Sequence, residues 1–403
     1  MVDNLGLSNR ISTVPASPIR KLVPFANLAK KNGVHVYHLN IGDPDIKTPD
    51  IMLKVLTNWT ANPIPYSQSA GDPDLINSLI QYYKKINFPF LTSSNIQITS
   101  GGSEAISVAI FLTCDHGCEI LTFEPFYPSY NMLAKINGVN IVPILTTAKN
   151  NFHLPQQKDI EKRITAKTRA IIISNPGNPT GTVFSKSEMD MLVNIAKKYN
   201  LFLLCDEVYR EFTYDNKKHI SILNYMEKLP NNLILLDSLS KRYSICGARI
   251  GALISLNKEL MKGALIVAQS RLSAGYIDQK VATKLTEVPD KYFSAVYDEY
   301  QNRRNILFKG LKTIPGVTVS NPEGAFYCIV GLPVKNSEDF CRWLLTNFRN
   351  NNETIMLAPA NGFYATPGRG VNEVRIAYVL NIKALRRSIE ILKIALKQYL
   401  AKV

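Results

Sequence analysis

Apolar and polar positions change period along this chain. In the middle, short apolar runs alternate with amphipathic stretches. Residues 96–99 read as a strand, 103–113 as a helix, 119–123 as a strand and 130–137 as a helix. The run RAIIIS at 169–174 is apolar enough for a strand buried on both faces. Ser185 and Glu188 stand at capping-box spacing and open a helix to about Tyr199. Further strands are expected at 201–205, 233–237 and 249–254. This alternation predicts an α/β fold with a large, mostly parallel sheet and helices on both faces. Past Pro289 the pattern changes. A long helix is expected at 291–312, then strands at 318–320, 325–331 and 373–378, a helix at 338–348 and a last helix from Ala384. Fewer strands between longer helices predict a smaller α+β domain. The first 45 residues are too short and irregular to fold alone and are expected to pack on the rest.

Composition narrows the class. The chain has 403 residues, 46% hydrophobic and 20% charged, which is an ordinary globular balance. No run approaches the roughly 20 apolar residues of a membrane span. The net charge is +15, which makes nucleic acid worth testing. The basic residues are scattered, however, and no nucleic-acid-binding signature interleaves them with aromatics. Six cysteines are present. Four lie in apolar runs as small core residues. Cys114 and Cys118 have no second Cys/His pair near them, so no metal site is expected. The N-terminus lacks an apolar signal core, and the expectation is a reduced, cytoplasmic compartment.

Candidate chemistry gathers where expected strands end, the place where open α/β sheets bind ligands. Residues 96–99 run into Ser100-Gly101-Gly102-Ser103-Glu104, where glycines and a helix start suit an anion. A plain strand-to-helix turn would explain the same glycines. RAIIIS ends in Asn175-Pro176-Gly177-Asn178-Pro179-Thr180-Gly181. A rigid connector explains its prolines and glycines but leaves Asn178 unexplained. Residues 201–205 end in Asp206-Glu207-Val208-Tyr209, and a carboxylate there is costly unless paired. Residues 233–237 lead into Ser238-Leu239-Ser240-Lys241-Arg242, with Arg249 eight residues after Lys241. Lys241 is a candidate nucleophilic amine, its pKa depressed by nearby cations, beside a phosphate site. Together these strand ends suit a phosphorylated aromatic aldehyde held as a Schiff base.

At this point the motifs show a resemblance. SLSKRYSICGARIG (238–251) resembles the pyridoxal-phosphate attachment segment of the class I/II aminotransferases. NPGNPTG (175–181), DEVY (206–209), IGDPD (41–45), YSQSAG (66–71), EPFYPSY (124–130), PEGAFY (322–327) and VRIAY (374–378) follow in that family's order. The resemblance implies the fold type I architecture. It would divide the chain into a large cofactor-binding domain, 46–290, and a small domain made of 1–45 and 291–403. It implies pyridoxal 5'-phosphate as cofactor and an amino group moved by a ping-pong mechanism between an L-amino acid and a 2-oxo acid, with aspartate, aromatic or broad specificity. Lys241 would carry the Schiff base and shuttle the proton. Asp206 would pair with the pyridine nitrogen. Asn178 and Tyr209 would bond the ring hydroxyl, and Tyr127 would stack on the ring. Gly102, Ser103, Ser238, Ser240 and Arg249 would hold the phosphate. Tyr66 would reach the neighbouring subunit's cofactor, which implies a homodimer with active sites at the interface. Arg375, assisted by the Gly42 backbone, would grip the substrate carboxylate.

Three positions depart from common family patterns. Ala248 stands where many relatives have a large residue, and Arg242 where many have a small one. Ser103 stands where an aspartate-using branch has a lysine, which weakens a simple aspartate assignment. Arg20, Lys21 and Arg271 are the other candidate cations. A carbon–sulfur lyase of the same fold is the alternative enzyme. An aminotransferase-like regulator would need a DNA-binding domain, for which the stretch before Ile41 leaves no room.

Overall fold

The computed structural model describes residues 6–402, so the part of the N-terminal segment before Gly6 lies outside the described residues. Its strands in chain order are β1 (His35–His38), β2 (Ile96–Thr99), β3 (Glu119–Glu124), β4 (Asn140–Leu145), β5 (Thr168–Ser174), β6 (Phe202–Asp206), β7 (Leu233–Ser238), β8 (Gly251–Ile254), β9 (Thr318–Val319), β10 (Tyr327–Gly331), β11 (Glu353–Met356), β12 (Ala358–Pro359) and β13 (Glu373–Ala377). A seven-stranded sheet has the order β2-β8-β7-β6-β5-β3-β4. Its pairings are parallel from β7 through β4, and β8 alone runs antiparallel to both its neighbours. A four-stranded antiparallel sheet has the order β12-β13-β10-β9, and β1 pairs in parallel with β11.

The period-2 geometry of strands explains why the central runs are apolar throughout. Ile171, Ile173, Leu203 and Leu235 enter the core on one face of the large sheet. Ala170, Ile172, Leu204, Ile234 and Leu236 enter the core on the other. A further core joins Leu22, Ala26 and Val36 to Phe326, Cys328, Ile376 and Leu392.

Two expectations need correction. The strand expected at 249–254 begins only at Gly251, because Arg249 adopts a left-handed conformation (φ +50°) before it. That turn lays Gly251 against the loop after β2, where a Cβ would come 2.5 Å from the Gly101 carbonyl carbon. Strands β1, β4, β11 and β12 were not anticipated. β4 is a sheet edge with mixed burial, and β1 and β11 find each other only from opposite ends of the chain. The helices expected at 291–312, 338–348 and from 384 are found at Asp290–Leu311, Ser337–Thr346 and Ile382–Leu400.

Ser174 pairs with Asp206 in register, Asp206 with Leu236, Ser238 with Gly251, and Gly251 with Thr99. The ends of β2, β5, β6 and β7 therefore share one edge of the sheet. The loop after β5 is clasped to the lead-in of β10. His153 Nδ1 lies 3.0 Å from Glu188, and its Nε2 lies 3.4 Å from Glu323. Glu323 also receives Lys217 at 2.6 Å and the Val183 N–H at 3.2 Å. The hydrogen bonds to Glu188 and Glu323 raise the His153 pKa to about 9. Its stabilising contribution is complete below the ordinary histidine value of 6.5 and is lost as pH rises through about 9. The melting temperature of the wild type is expected to fall more between those pH values than that of His153→Gln, and parallel melting curves would contradict this.

Candidate active site

The shared sheet edge assembles residues distant in sequence. After β2, Gly101 takes φ +83° and the helix Gly102–Thr113 begins. A Cβ on Gly101 would lie 2.3 Å from Arg249 Nη2, and one on Gly102 would lie 3.4 Å from the Ser238 Cβ. The Ser238 hydroxyl donates to Ser240 Oγ at 3.0 Å, and both serines are buried. Arg249 is exposed, donates to the Cys246 carbonyl at 3.0 Å and forms no ion pair among the described residues. Ser103 is exposed in the first helical turn. Glycine backbone, free helix-start N–H groups, two hydroxyls and an unpaired guanidinium make a cradle suited to a phosphate.

Lys241 lies next to this cradle in the short helix Leu239–Arg242. Its amine donates to the Gly42 carbonyl at 2.6 Å and to Cys246 Sγ at 3.4 Å. The expectation that neighbouring cations depress its pKa is not met. Burial lowers it, but Tyr327, Cys246 and Tyr127 outweigh burial and the net direction is upward. Arg242 turns away to ion pairs with Asp237 and Glu211, at 2.8 and 2.9 Å, and so does not act on Lys241.

Asp206 ends β6 fully inside the protein. It accepts from the Tyr130 hydroxyl at 2.8 Å and from the Val208 N–H at 3.3 Å. Burial pushes its pKa up to about 6 against those two hydrogen bonds. Tyr130, the last residue of EPFYPSY and given no role there, is thus the partner a buried carboxylate requires. Tyr127 stands edge-on to Tyr130, with ring centroids 5.6 Å apart. Tyr130→Phe removes a donor to the charged form and is expected to raise the Asp206 pKa further, by about one unit. Carbon-13 titration of labelled aspartate in the ligand-free protein would measure it, and an unchanged midpoint would contradict the assignment.

Arg375 is 1% exposed, yet no carboxylate pairs with it among the described residues. It donates to Asn178 Oδ1 at 3.1 Å and to the Asn40 carbonyl at 2.6 Å, while its Nε has no partner. Its guanidinium lies over Tyr327 and Phe363, 4.3 and 5.0 Å from the ring centroids. Burial lowers its pKa. Tyr327 joins the site: its hydroxyl is 2.9 Å from the Tyr209 hydroxyl, and a Cβ on Gly42 would come 1.7 Å from the same oxygen. Gly42 therefore lets one loop touch Lys241 and Tyr327 together. Tyr327 and Asn40 were missed as site residues, although PEGAFY was noticed. Nothing local marks a tyrosine that closes a site from another sheet.

Tyr66 is 81% exposed. The other candidate cations are occupied or open to solvent. Lys21 pairs with Glu338, Arg271 pairs with Glu104 at 2.6 Å, and Arg20 is exposed. No helix among the described residues is long and apolar enough to cross a membrane.

The family model "Aminotransferase class I and II" matches residues 35–392. The chain is 31% identical to an aspartate aminotransferase of Pyrococcus horikoshii, with 94% of each chain covered. It is also 31% identical to a probable N-acetyl-LL-diaminopimelate aminotransferase of Bacillus subtilis, covering 96% of this chain and 95% of that one. The solved alanine aminotransferase of Pyrococcus furiosus superposes with a TM-score of 0.87 at 28% identity, covering 98% of this chain and all of the other. With its mostly parallel seven-stranded sheet, its smaller antiparallel sheet and a lysine, a buried aspartate and an arginine at one site, this chain belongs to the class I and II aminotransferases, a family of pyridoxal-phosphate-dependent enzymes.

Proposed function

We propose that this aminotransferase binds pyridoxal 5'-phosphate at the shared sheet edge and transfers amino groups from a broad range of L-amino acids, aromatic ones favoured, to a 2-oxo acid. The observation that carries the reading is Arg375: a buried guanidinium with an unpartnered Nε and no carboxylate is arranged for a carboxylate brought by a substrate. The cofactor's chemical needs fit the residues present. The cradle of Gly102, Ser103, Ser238, Ser240 and Arg249 would hold its phosphate. Lys241 would attach its aldehyde, and Asp206, held as a carboxylate at neutral pH, would keep its ring nitrogen protonated. Asn178, Tyr209 and Tyr127 would bond and cover the ring. When bound, the cofactor supplies a ring that stabilises negative charge at the substrate α-carbon. Lys241 then holds and returns the α-proton, while Arg375 and the Gly42 loop orient the substrate and keep water out.

The aromatic preference rests on the surroundings of Arg375. Tyr327 and Phe363 flank it, Ser103 supplies no charge, and Lys21 and Arg271 are committed to carboxylates. Relatives of similar identity carry different substrate names, so identity alone does not choose among donors. We further propose a large domain of 46–290 and a small one of 1–45 and 291–403, a cytoplasmic location, and a homodimer in which exposed Tyr66 reaches the partner's site. A donor panel with 2-oxoglutarate, comparing tyrosine, phenylalanine, alanine, kynurenine and aspartate, tests the reading. Aspartate exceeding tyrosine in kcat/KM would overturn the preference. Pyruvate and ammonia from cystathionine without need of an oxo acid would favour a lyase.

A further inference from the structure

A cavity of about 720 Å³ lies between the helix Pro73–Lys85, the turn Thr283–Glu287 and the start of the helix Asp290–Leu311. None of its lining residues belongs to the site described above. Its size falls within the range of small-molecule sites, roughly 300–1,000 Å³. Its walls are aromatic, from Tyr82, Tyr243, Phe293 and Tyr297, and its charged groups are mainly acidic.

The charge balance identifies the ligand. Lys85 is the only lining cation among the described residues, and it pairs with Asp290 at 2.5 Å. Asp298 lines the cavity exposed and without an ion pair among the described residues. Glu211 accepts from the Tyr82 hydroxyl and pairs with Arg242 Nε at 2.9 Å. That same Arg242 serves Asp237 at 2.8 Å, and the charge of Arg210 also acts on Asp237. With Glu211 paired to Arg242 and Asp290 to Lys85, the cavity's unpaired negative charge is that of Asp298, in a chain of net charge +15. Aromatic faces beside carboxylates recognise organic ammonium groups.

We propose that this cavity is a binding site for a small organic cation with an aromatic or branched apolar body, its ammonium group directed to Glu211 and Asp298. The site adjoins the reaction centre through Arg242. That residue lies over the Tyr82 ring, 4.4 Å from its centroid, and directly follows Lys241. The departure noticed at position 242 thereby has a structural role, holding Glu211 at the cavity wall. The proposal does not rest on the identity of the amino donor.

The test uses the full-length holoenzyme and benzyltrimethylammonium. This quaternary probe cannot condense with an aldehyde and has no carboxylate for Arg375. Calorimetry is expected to show saturable one-to-one binding. The neutral isostere neopentylbenzene should bind at least about tenfold more weakly, and Glu211→Gln should weaken the cation by about tenfold. Ser294→Trp, which fills the cavity from its exposed rim, should abolish binding and leave basal transamination unchanged. Lack of saturable binding to the wild type, equal binding of the neutral isostere, or an unchanged affinity in Glu211→Gln or Ser294→Trp would overturn the proposal.

Discussion

Lys241→Ala is expected to lower transamination by about 10⁴-fold, the upper end of what one positioned proton-transfer group supplies. The side chain is placed for two tasks. Its amine is held at 2.6 Å by the Gly42 carbonyl, and the helix Leu239–Arg242 carries it beside the Ser238 and Ser240 hydroxyls. Alanine preserves that helix, since the cap from Ser238 to the Ser240 N–H does not involve position 241. The variant should therefore fold, bind phosphate-bearing ligands and fail in chemistry. Borohydride treatment followed by mass spectrometry should leave cofactor mass on a wild-type peptide containing Lys241 and none on the variant. Retained activity, or covalent cofactor elsewhere in the wild type, would remove Lys241 from its proposed role.

Arg375→Ala is expected to lower kcat/KM for amino acids by about 10²- to 10⁴-fold, the equivalent of the roughly 3–5 kcal/mol that a broken buried ion pair costs. The loss should fall on substrates that carry an α-carboxylate. An amine lacking that group should lose much less, because it never meets Arg375. The guanidinium leans on Tyr327 and Phe363, so some destabilisation should accompany the loss. Comparing an amino acid with its decarboxylated amine separates the two effects. An equal fall for both would mean that Arg375 is structural.

The candidate site was legible in the sequence where a residue's type contradicted its surroundings. Asp206 after an apolar run, Lys241 between serines, and Asn178 among prolines and glycines each stood out locally. Tyr130 and Tyr327 did not, since an aromatic residue after a turn or in an apolar run reads as ordinary core, and Asn40 did not, since it serves through its backbone carbonyl. Their importance comes from what lies opposite: a carboxylate for Tyr130, a glycine loop for Tyr327, a guanidinium for Asn40. The pKa of Lys241 was misjudged for the same reason. Proximity in sequence placed Arg242 beside it, whereas helical geometry directs Arg242 to Asp237 and Glu211.

Taken alone, the sequence determined the α/β class, the central strands and the groups at their ends, because period-2 burial and glycine turns are local properties. The tertiary structure decided the rest. It set β8 antiparallel between parallel neighbours and joined β1 to β11 across the chain. It left Arg375 buried without a carboxylate and opened an acidic aromatic cavity in a basic protein. Each of these depends on pairing and charge between residues far apart in sequence, where no local pattern carries the information.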